Sequence, residues 1–448
     1  MPGGSAAAAG PVLSYADVVD RVAPAVVTIR SSQRVRAPQQ FPFSDDPFFR
    51  QFFGGTIPRG GGTQQLDSLG SGVIVRTDGY ILTNHHVIDG ADEIKVDLTG
   101  SRRTYSAKVV GSDPPSDLAV LKISASDLPV LQPGDSDQVR VGDVCLAVGN
   151  PLGVGETVTS GIISAKGRAT GSGNGSFQDF LQTDAPINQG NSGGALVNTR
   201  GELIGINSQI VSPTGASVGI GFAIPSNMAK TVMNQLIGKG KVQRGMIGVT
   251  VQPVTNDLAP GFGLKEARGI AIASVTAGGA GDKAGVKQGD VVLQLNGKGV
   301  SDANVFRNEI AAMSPGTEVT LTIWRSNAQQ QVRVRLGEWG SEAAGGQEQG
   351  GGETGGRLGI TAEPLTPETA ARLGLRRGTQ GVLVTRVNPA GPSARAGVRD
   401  GDVIQEVNRQ PVHSPAEVRD AMQRSGNGAA VLLVMRGGEA IYIPVPLQ

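Results

Sequence analysis

Between residues 14 and 240 short apolar runs alternate with turn residues: GVIV at 72–75, YILTN at 80–84, DEIKVDL at 92–98, TYSAKVV at 104–110, DLAVLKI at 117–123, DVCLAVG at 143–149, ETVTSGIISA at 156–165, ELIGINS at 202–208 and GIGFAI at 219–224. Runs of this length, bounded by Gly, Asp and Asn, predict a mainly β domain of the barrel type. The pattern then changes period. NMAKTVMNQLIG places Met228, Val232, Met233 and Leu236 on one helical face, with Ser226 as its cap and Gly238 as its end. Two stretches fit neither pattern and read as long surface loops: 31–69, with the aromatic cluster Phe41 to Phe53, and the Gly-rich 167–176.

Downstream the chain repeats itself. AGVKQGDVVLQLN at 284–296 returns as AGVRDGDVIQEVN at 396–408, so Gly285, Asp290 and Asn296 recur 112 residues later. That period exceeds the solenoid range and predicts two tandem globular modules, each with its own core. The stretch between them, 340–356, is Gly-rich and has little to pack. As a flexible tether it would let the second module swing by roughly 20–25 Å. The expected layout is a first domain at 12–240, modules at 241–339 and 357–448, and a linker at 340–356.

Composition narrows the function classes. Forty Lys and Arg face 39 Asp and Glu, without the basic excess that phosphate contacts need, so nucleic acid is not expected as a partner. The single cysteine, Cys145, closes no intrachain disulfide and reads as a small buried residue. No apolar run reaches the ~18 residues of a membrane span, and MPGGSAAAAG lacks the basic and apolar regions of an export signal. The expectation is a mature exported form or a cytoplasmic product.

The chemistry is carried by three scattered segments. In Asn188-Gln189-Gly190-Asn191-Ser192-Gly193-Gly194 glycines flank Ser192, permitting a tight turn that presents a hydroxyl beside inward-pointing amides. Gly190, Asn191 and Ser192 would build the oxyanion hole, with the Gly190 and Ser192 amides as donors. A base must be His85, His86 or His413, and the first two end a predicted strand. Asp117 could fix the tautomer of that histidine. GNSGG also satisfies the G-x-S-x-G pattern of α/β-hydrolases, but those run Ser, acid, His, whereas here His and Asp precede Ser. No H-E-x-x-H or Cys/His cluster offers a metal mechanism, and no cofactor is expected.

TNHHVI, SDLAVLKI and NQGNSGGALVN, followed by GELIGIN, GIGFAIPS and two AGV-x-x-GDV modules, closely resemble the HtrA (Deg) family of serine endoproteases in its protease Do form with two PDZ domains. The resemblance runs from about residue 12 to the C-terminus. It implies a chymotrypsin/trypsin-like double β-barrel, ATP-independent degradation of unfolded proteins, a periplasmic location and chaperone-like handling of clients. By position the family's triad falls on His86, Asp117 and Ser192; where this chain has His85 the family usually has Asn. The resemblance also implies homo-oligomers built from trimers, with the aromatic loop reaching into a facing active site, and a sensor loop at 167–178 through which substrate shifts the oxyanion hole from collapsed to formed.

In chymotrypsin-like proteases the P1 pocket floor lies six residues before the nucleophile. Here that is Pro186, followed by Ile187, and the absence of an acid there predicts small or aliphatic P1 residues. Gly205-Ile206-Asn207 is expected to add a strand to the substrate backbone. In the modules, Met246-Ile247-Gly248-Val249 and Leu358-Gly359-Ile360 resemble carboxylate-binding loops for C-terminal peptides. The first module would capture substrate and the second govern assembly. A non-proteolytic holdase and a PDZ adaptor are the competing classes; neither needs a triad or the glycines around Ser192.

Overall fold

The computed structural model describes residues 14–36, 63–101, 103–150, 157–170, 177–188, 190–212, 217–339, 358–375, 378–388, 391–424 and 429–446. The aromatic stretch Phe41 to Phe53, the linker 340–356 and the centre of the 167–178 loop lie outside them. The chain divides into two compact units, Met1–Val242 and Gln243–Gln448.

In the first unit, helix α1 (Ala16–Val22) leads into the strands β1 (Val26–Arg36), β2 (Thr63–Ile74), β3 (Tyr80–Thr83), β4 (Glu93–Leu98), β5 (Thr104–Asp113) and β6 (Leu118–Ile123). They close in the order β1-β2-β3-β6-β5-β4, and the short helix α2 (His85–Ile88) follows β3. A second barrel repeats that order as β10-β11-β12-β9-β8-β7, from β7 (Val144–Gly149), β8 (Thr157–Arg168), β9 (Phe180–Thr183), β10 (Ala195–Asn198), β11 (Leu203–Ile210) and β12 (Gly221–Pro225). The expected double barrel is therefore present. Strand alternation fills each interior, with Val27, Ile29, Ile74, Ile81, Val96 and Leu121 in the first and Cys145, Ala147, Ile163, Leu196 and Ile204 in the second. Cys145 is buried as expected, with its thiol against the Thr183 hydroxyl and pushed up to about 11 by burial.

Helix α3 (Ser226–Lys239) packs Ala229, Val232 and Leu236 onto a cluster contributed by both barrels, with Met228 and Met233 at the margin. Its ends differ from the sequence expectation. Ser226 is already helical, and its hydroxyl donates to the Gly134 carbonyl at 2.8 Å. The helix runs through Gly238 and stops at Gly240, whose φ of 70° lets its N–H cap the Leu236 carbonyl at 2.9 Å.

The second unit holds two modules of one topology. The first comprises β13 (Gly245–Met246), β14 (Val249–Pro253), β15 (Ile270–Val275), α4 (Ala280–Lys283), β16 (Val291–Leu295), β17 (Lys298–Gly299), α5 (Ala303–Ala312), β18 (Glu318–Arg325), β19 (Ala328–Arg335) and β20 (Gly337–Glu338). The second comprises β21 (Ile360–Pro364), α6 (Pro367–Arg372), β22 (Val382–Val387), α7 (Pro392–Arg395), β23 (Val403–Val407), β24 (Gln410–Pro411), α8 (Pro415–Arg424), β25 (Ala429–Arg436) and β26 (Glu439–Pro446). Their sheets run β14-β15-β16-β18-β19 and β21-β22-β23-β25-β26.

The repeated sequence motif is the joint of each module. Asp290, 1% exposed, is gripped by Arg325 at 2.7 and 2.6 Å, and the same guanidinium reaches the Gly285 carbonyl. In the second copy Arg436 holds Asp402 at 2.7 Å twice and reaches Gly397. Asn296 and Asn408 turn with φ of 50° and 48°, and each side-chain oxygen accepts one backbone N–H at 2.8 Å, from Thr320 and Val431. The repeat therefore encodes a turn tied to a buried ion pair.

The two modules pack against each other. Val291 with Ala271 and Ala273 on one outer sheet face, and Val431, Leu433, Ala440 and Tyr442 on the other, form one buried cluster with Leu258, Phe262 and Leu264. Phe262 meets Tyr442 edge-on at 5.1 Å between centroids. Gln252 exchanges two hydrogen bonds with the Tyr442 backbone, at 3.1 and 2.6 Å.

Candidate active site

The acid and base come from the first barrel. Asp117 sits between β5 and β6 at φ 55°, a left-handed conformation that costs a non-glycine residue energy and is characteristic of functional positions. That turn aims its carboxylate at α2, where His86 Nδ1 lies 2.9 Å from both oxygens and the His86 amide donates to one of them at 3.1 Å. The Asp117 carbonyl is held by the His85 amide and the Asn84 side chain. Burial alone would raise the Asp117 pKa, but the charge of His86 and hydrogen bonds from His86 and Ser208 outweigh it and hold the carboxyl below the usual carboxylate range. His85 faces elsewhere: its Nδ1 meets the Ser112 hydroxyl at 2.7 Å and its Nε2 lies 3.7 Å from Asp89. The geometry thus separates two neighbours that the sequence could not.

Ser192 comes from the second barrel, ahead of β10. Gly190 and Gly193 take φ of 96° and 82°. A side chain at Gly193 would meet the Ser71 carbonyl at 2.1 Å and the Thr83 hydroxyl at 2.4 Å, so only glycine fits. Two short chains tie this loop to the His–Asp pair. The Ser192 carbonyl accepts the Ser71 N–H at 2.8 Å, and the Ser71 carbonyl accepts the hydroxyl of Thr83, three residues before His86. On the other side Gly193 N–H donates to Asn207 at 2.8 Å, and the next residue, Ser208, donates its hydroxyl to Asp117 at 2.8 Å. Ser192 Oγ is buried and has no hydrogen-bond partner among the described residues. A buried hydroxyl left unpaired calls for a functional reason.

Among the described residues the Gly190 and Ser192 amides donate to no backbone carbonyl. Asn191, expected with them in the oxyanion hole, differs: its N–H is taken by the Asn188 carbonyl at 3.0 Å, so its amide is unavailable. A second correction concerns substrate pairing. Gly205, Ile206 and Asn207 are buried and paired on both edges, Gly205 and Ile206 with β10, all three with β12, and Asn207 with the Gly193–Gly194 turn. No substrate strand can add there. Beyond β10, Gln209 and Ile210 pair, among the described residues, only with Phe222 and Gly221. Ile187 is fully buried, and a Cβ on Gly221 would come within 2.9 Å of it. Ser208 was missed by sequence reading, although it ends the quoted run ELIGINS.

In the modules Gly248 and Gly359 both turn left-handed, at φ 79° and 68°. Their carbonyls accept Thr276 and Asn388, while Ile247 and Leu358 accept Gly281 and Ser393. These partners place Leu358-Gly359-Ile360 in register with Ile247-Gly248-Val249. Met246 instead pairs with Gly337 on β20. The Ile247, Gly248 and Gly359 amides donate to no backbone carbonyl among the described residues.

Two six-stranded barrels, one carrying the His86–Asp117 pair and the other Ser192, define a trypsin-like serine peptidase, here extended by two smaller β modules. The trypsin-like peptidase domain family matches residues 70–206, and PDZ domain families match 245–336 and 383–436. A probable periplasmic serine endoprotease DegP-like from Chlamydia trachomatis is 41% identical over 442 residues, covering 97% of this chain and 86% of its own. The periplasmic pH-dependent serine endoprotease DegQ of Escherichia coli is 41% identical over 446 residues, covering 98% and 93%. The solved HtrA-type protease AlgW with a decapeptide is 45% identical and covers 74% of this chain and all of its own, at a TM-score of 0.59. The chain belongs to the HtrA family of DegP/DegQ-type serine endoproteases.

Proposed function

We propose that this protein is an ATP-independent endopeptidase of the periplasm that degrades unfolded proteins, with Ser192 as nucleophile, His86 as general base and Asp117 as its orienting anion. The observation that carries this reading is the two-oxygen grip of Asp117 on His86 Nδ1, made from a carboxylate that also accepts Ser208 beside the Ser192 loop. With Nδ1 donating to Asp117, Nε2 is left as the basic nitrogen. It takes the Ser192 proton as Oγ attacks the scissile carbonyl, and the Gly190 and Ser192 amides receive the developing oxyanion. His86 then gives that proton to the leaving amine. Water repeats the cycle on the acyl-enzyme.

The substrate backbone adds along Ser208–Ile210, whose β10-side edge pairs with no strand among the described residues. Backbone pairing reads side chains weakly, which suits many unfolded clients. Ile187 against Gly221 leaves a shallow P1 site for small aliphatic residues. The PDZ loops at Ile247–Val249 and Leu358–Ile360 take C-terminal carboxylates, the first capturing substrate and the second serving assembly of trimers into larger homo-oligomers. Unfolded substrate acts through the 167–178 loop to favour the formed oxyanion hole.

Digestion of unfolded casein by the intact chain, with and without ATP and beside Ser192→Ala, tests the reading. Fragments independent of ATP and absent from Ser192→Ala are expected. Intact casein together with equal suppression of aggregation by both proteins would make the chain a holdase; neither effect would leave an adaptor.

A further inference from the structure

The motif Gly70-Ser71-Gly72 on β2 belongs to the first barrel, yet the Ser71 side chain is engaged with the second. Ser71 is fully buried. Its hydroxyl donates to the Gly190 carbonyl at 2.6 Å and accepts the Asn150 N–H, just beyond β7, at 2.9 Å. The flanking glycines make this approach possible. A Cβ on Gly70 would strike Val87 at 2.7 Å and lie 3.3 Å from the Ser192 carbonyl, and one on Gly72 would strike Ile81 at 2.7 Å.

We propose that Ser71 is a positioning residue for the oxyanion hole: its hydroxyl pins the Gly190 carbonyl and thereby the backbone from which the Gly190 N–H projects. This rests on the triad reading above and deepens it. The nucleophile loop contains two peptides that matter. The Asn191–Ser192 peptide is held by Gly194 N–H on the Asn191 carbonyl at 2.9 Å, so the Ser192 N–H, trans in the same plane, points the opposite way. The Gly190–Asn191 peptide is held at both ends, by Ser71 on its oxygen and by Asn188 on its N–H. The Gly190 N–H lies in the preceding peptide, across the two dihedrals of Gly190; with no side chain to restrict them, Gly190 keeps its φ of 96° because its carbonyl is held, and Ser71 positions the N–H through that backbone. Without the hydroxyl the peptide turns more freely, and a donor aimed at an oxyanion loses its alignment. Loss of a whole donor costs ~10²–10³ in turnover, and misaligning one costs part of that.

The test uses the intact chain and a short chromogenic peptide amide with Ala or Val at P1. Two inhibitors of the same sequence accompany it: a boronic acid, whose tetrahedral adduct places an oxygen in the hole, and a reduced amide, which has no carbonyl oxygen. For Ser71→Ala the expected result is a fall in kcat of roughly 10- to 100-fold with KM within about twofold. Boronate affinity should weaken in step while reduced-amide affinity holds. Ser71→Cys, which keeps a weak donor, should fall between. A folded Ser71→Ala with wild-type kcat and boronate affinity overturns the proposal, as does equal weakening of both inhibitors. Failure of both variants to fold would assign Ser71 to the fold and overturn it too. The triad reading fails separately, if Ser192→Ala still hydrolyses the peptide.

Discussion

The Ser208 hydroxyl donates to Asp117 at 2.8 Å from the strand position that follows Asn207, the residue pairing with both Gly193 and Gly194. One dipeptide thus holds the acid of one barrel and the nucleophile turn of the other. Replacing Ser208 by Ala removes one of the contacts that lower the Asp117 pKa, and kcat should fall ~10-fold with KM little changed. Asp117→Asn should cost ~10⁴ by stabilising the wrong tautomer. Steady-state kinetics on a peptide amide checks both.

The pH dependence follows from the same carboxylate. Its folded pKa is depressed, so its contribution to stability is present above the unfolded value of about 3.9 and lost only as pH falls through the lower folded value. Between about pH 5 and 8 Asp117 stays charged and adds no ionisation of its own to the acid limb of kcat/KM, whose slope should not exceed one. A slope of two in the pH–rate profile would place a second titrating group in the mechanism.

Ile187 is fully buried against Gly221. Ile187→Gly should open the P1 site and move cleavage of unfolded casein towards Leu and Phe, read by mass spectrometry of the products. The lost packing should cost about 2–5 kcal/mol of stability. An unchanged product spectrum would move the P1 site elsewhere.

Two Asp→Asn changes in the first module separate a buried ion pair from a helix cap. Asp290→Asn leaves the Arg325 guanidinium without its anion and should cost about 3–5 kcal/mol. Asp302, which caps α5 through Asn304 and Val305 N–H at 2.7 and 2.9 Å, should lose little on the same change, because the Asn side-chain oxygen caps as well as that of Asp. Urea unfolding monitored through Trp324 distinguishes them.

Tyr442 joins the two modules through its ring, while its hydroxyl is buried with no hydrogen-bond partner among the described residues. Burial raises its pKa far above the ordinary tyrosine value. Tyr442→Phe should therefore be neutral or stabilising, whereas Tyr442→Ala should cost about 3–5 kcal/mol and split the calorimetric transition of the second unit.

Much of this was legible in the sequence, for identifiable reasons. Strand runs with punctuating turns gave a β domain of the barrel type, the family resemblance implied its two barrels, and the 112-residue offset gave both modules, because a buried Asp and a left-handed Asn leave few substitutes. The order His, Asp, Ser separated this fold from α/β-hydrolases. What escaped depends on pairing. Gly205–Asn207 looked available as a strand edge because a run of residues does not reveal which neighbours it has on each side. Asn191 was grouped with the hole because the direction of an amide is set by where its carbonyl binds. The docking of the modules did leave a signal: in VVLQL and AAVLLVM apolar residues occupy both faces, with Val292, Leu432 and Val434 inside their modules and Val291, Val431 and Leu433 in the joint cluster. A strand buried on both sides loses its alternation.

The most direct measurement is covalent labelling of the intact chain with a fluorophosphonate, the adduct located by mass spectrometry and its rate compared among variants. The adduct should fall on Ser192, lose ~10³-fold or more in rate with His86→Ala, and keep wild-type rate within a few-fold with His85→Ala. An adduct on another residue, or a His86→Ala chain that labels as fast as wild type, would contradict the account.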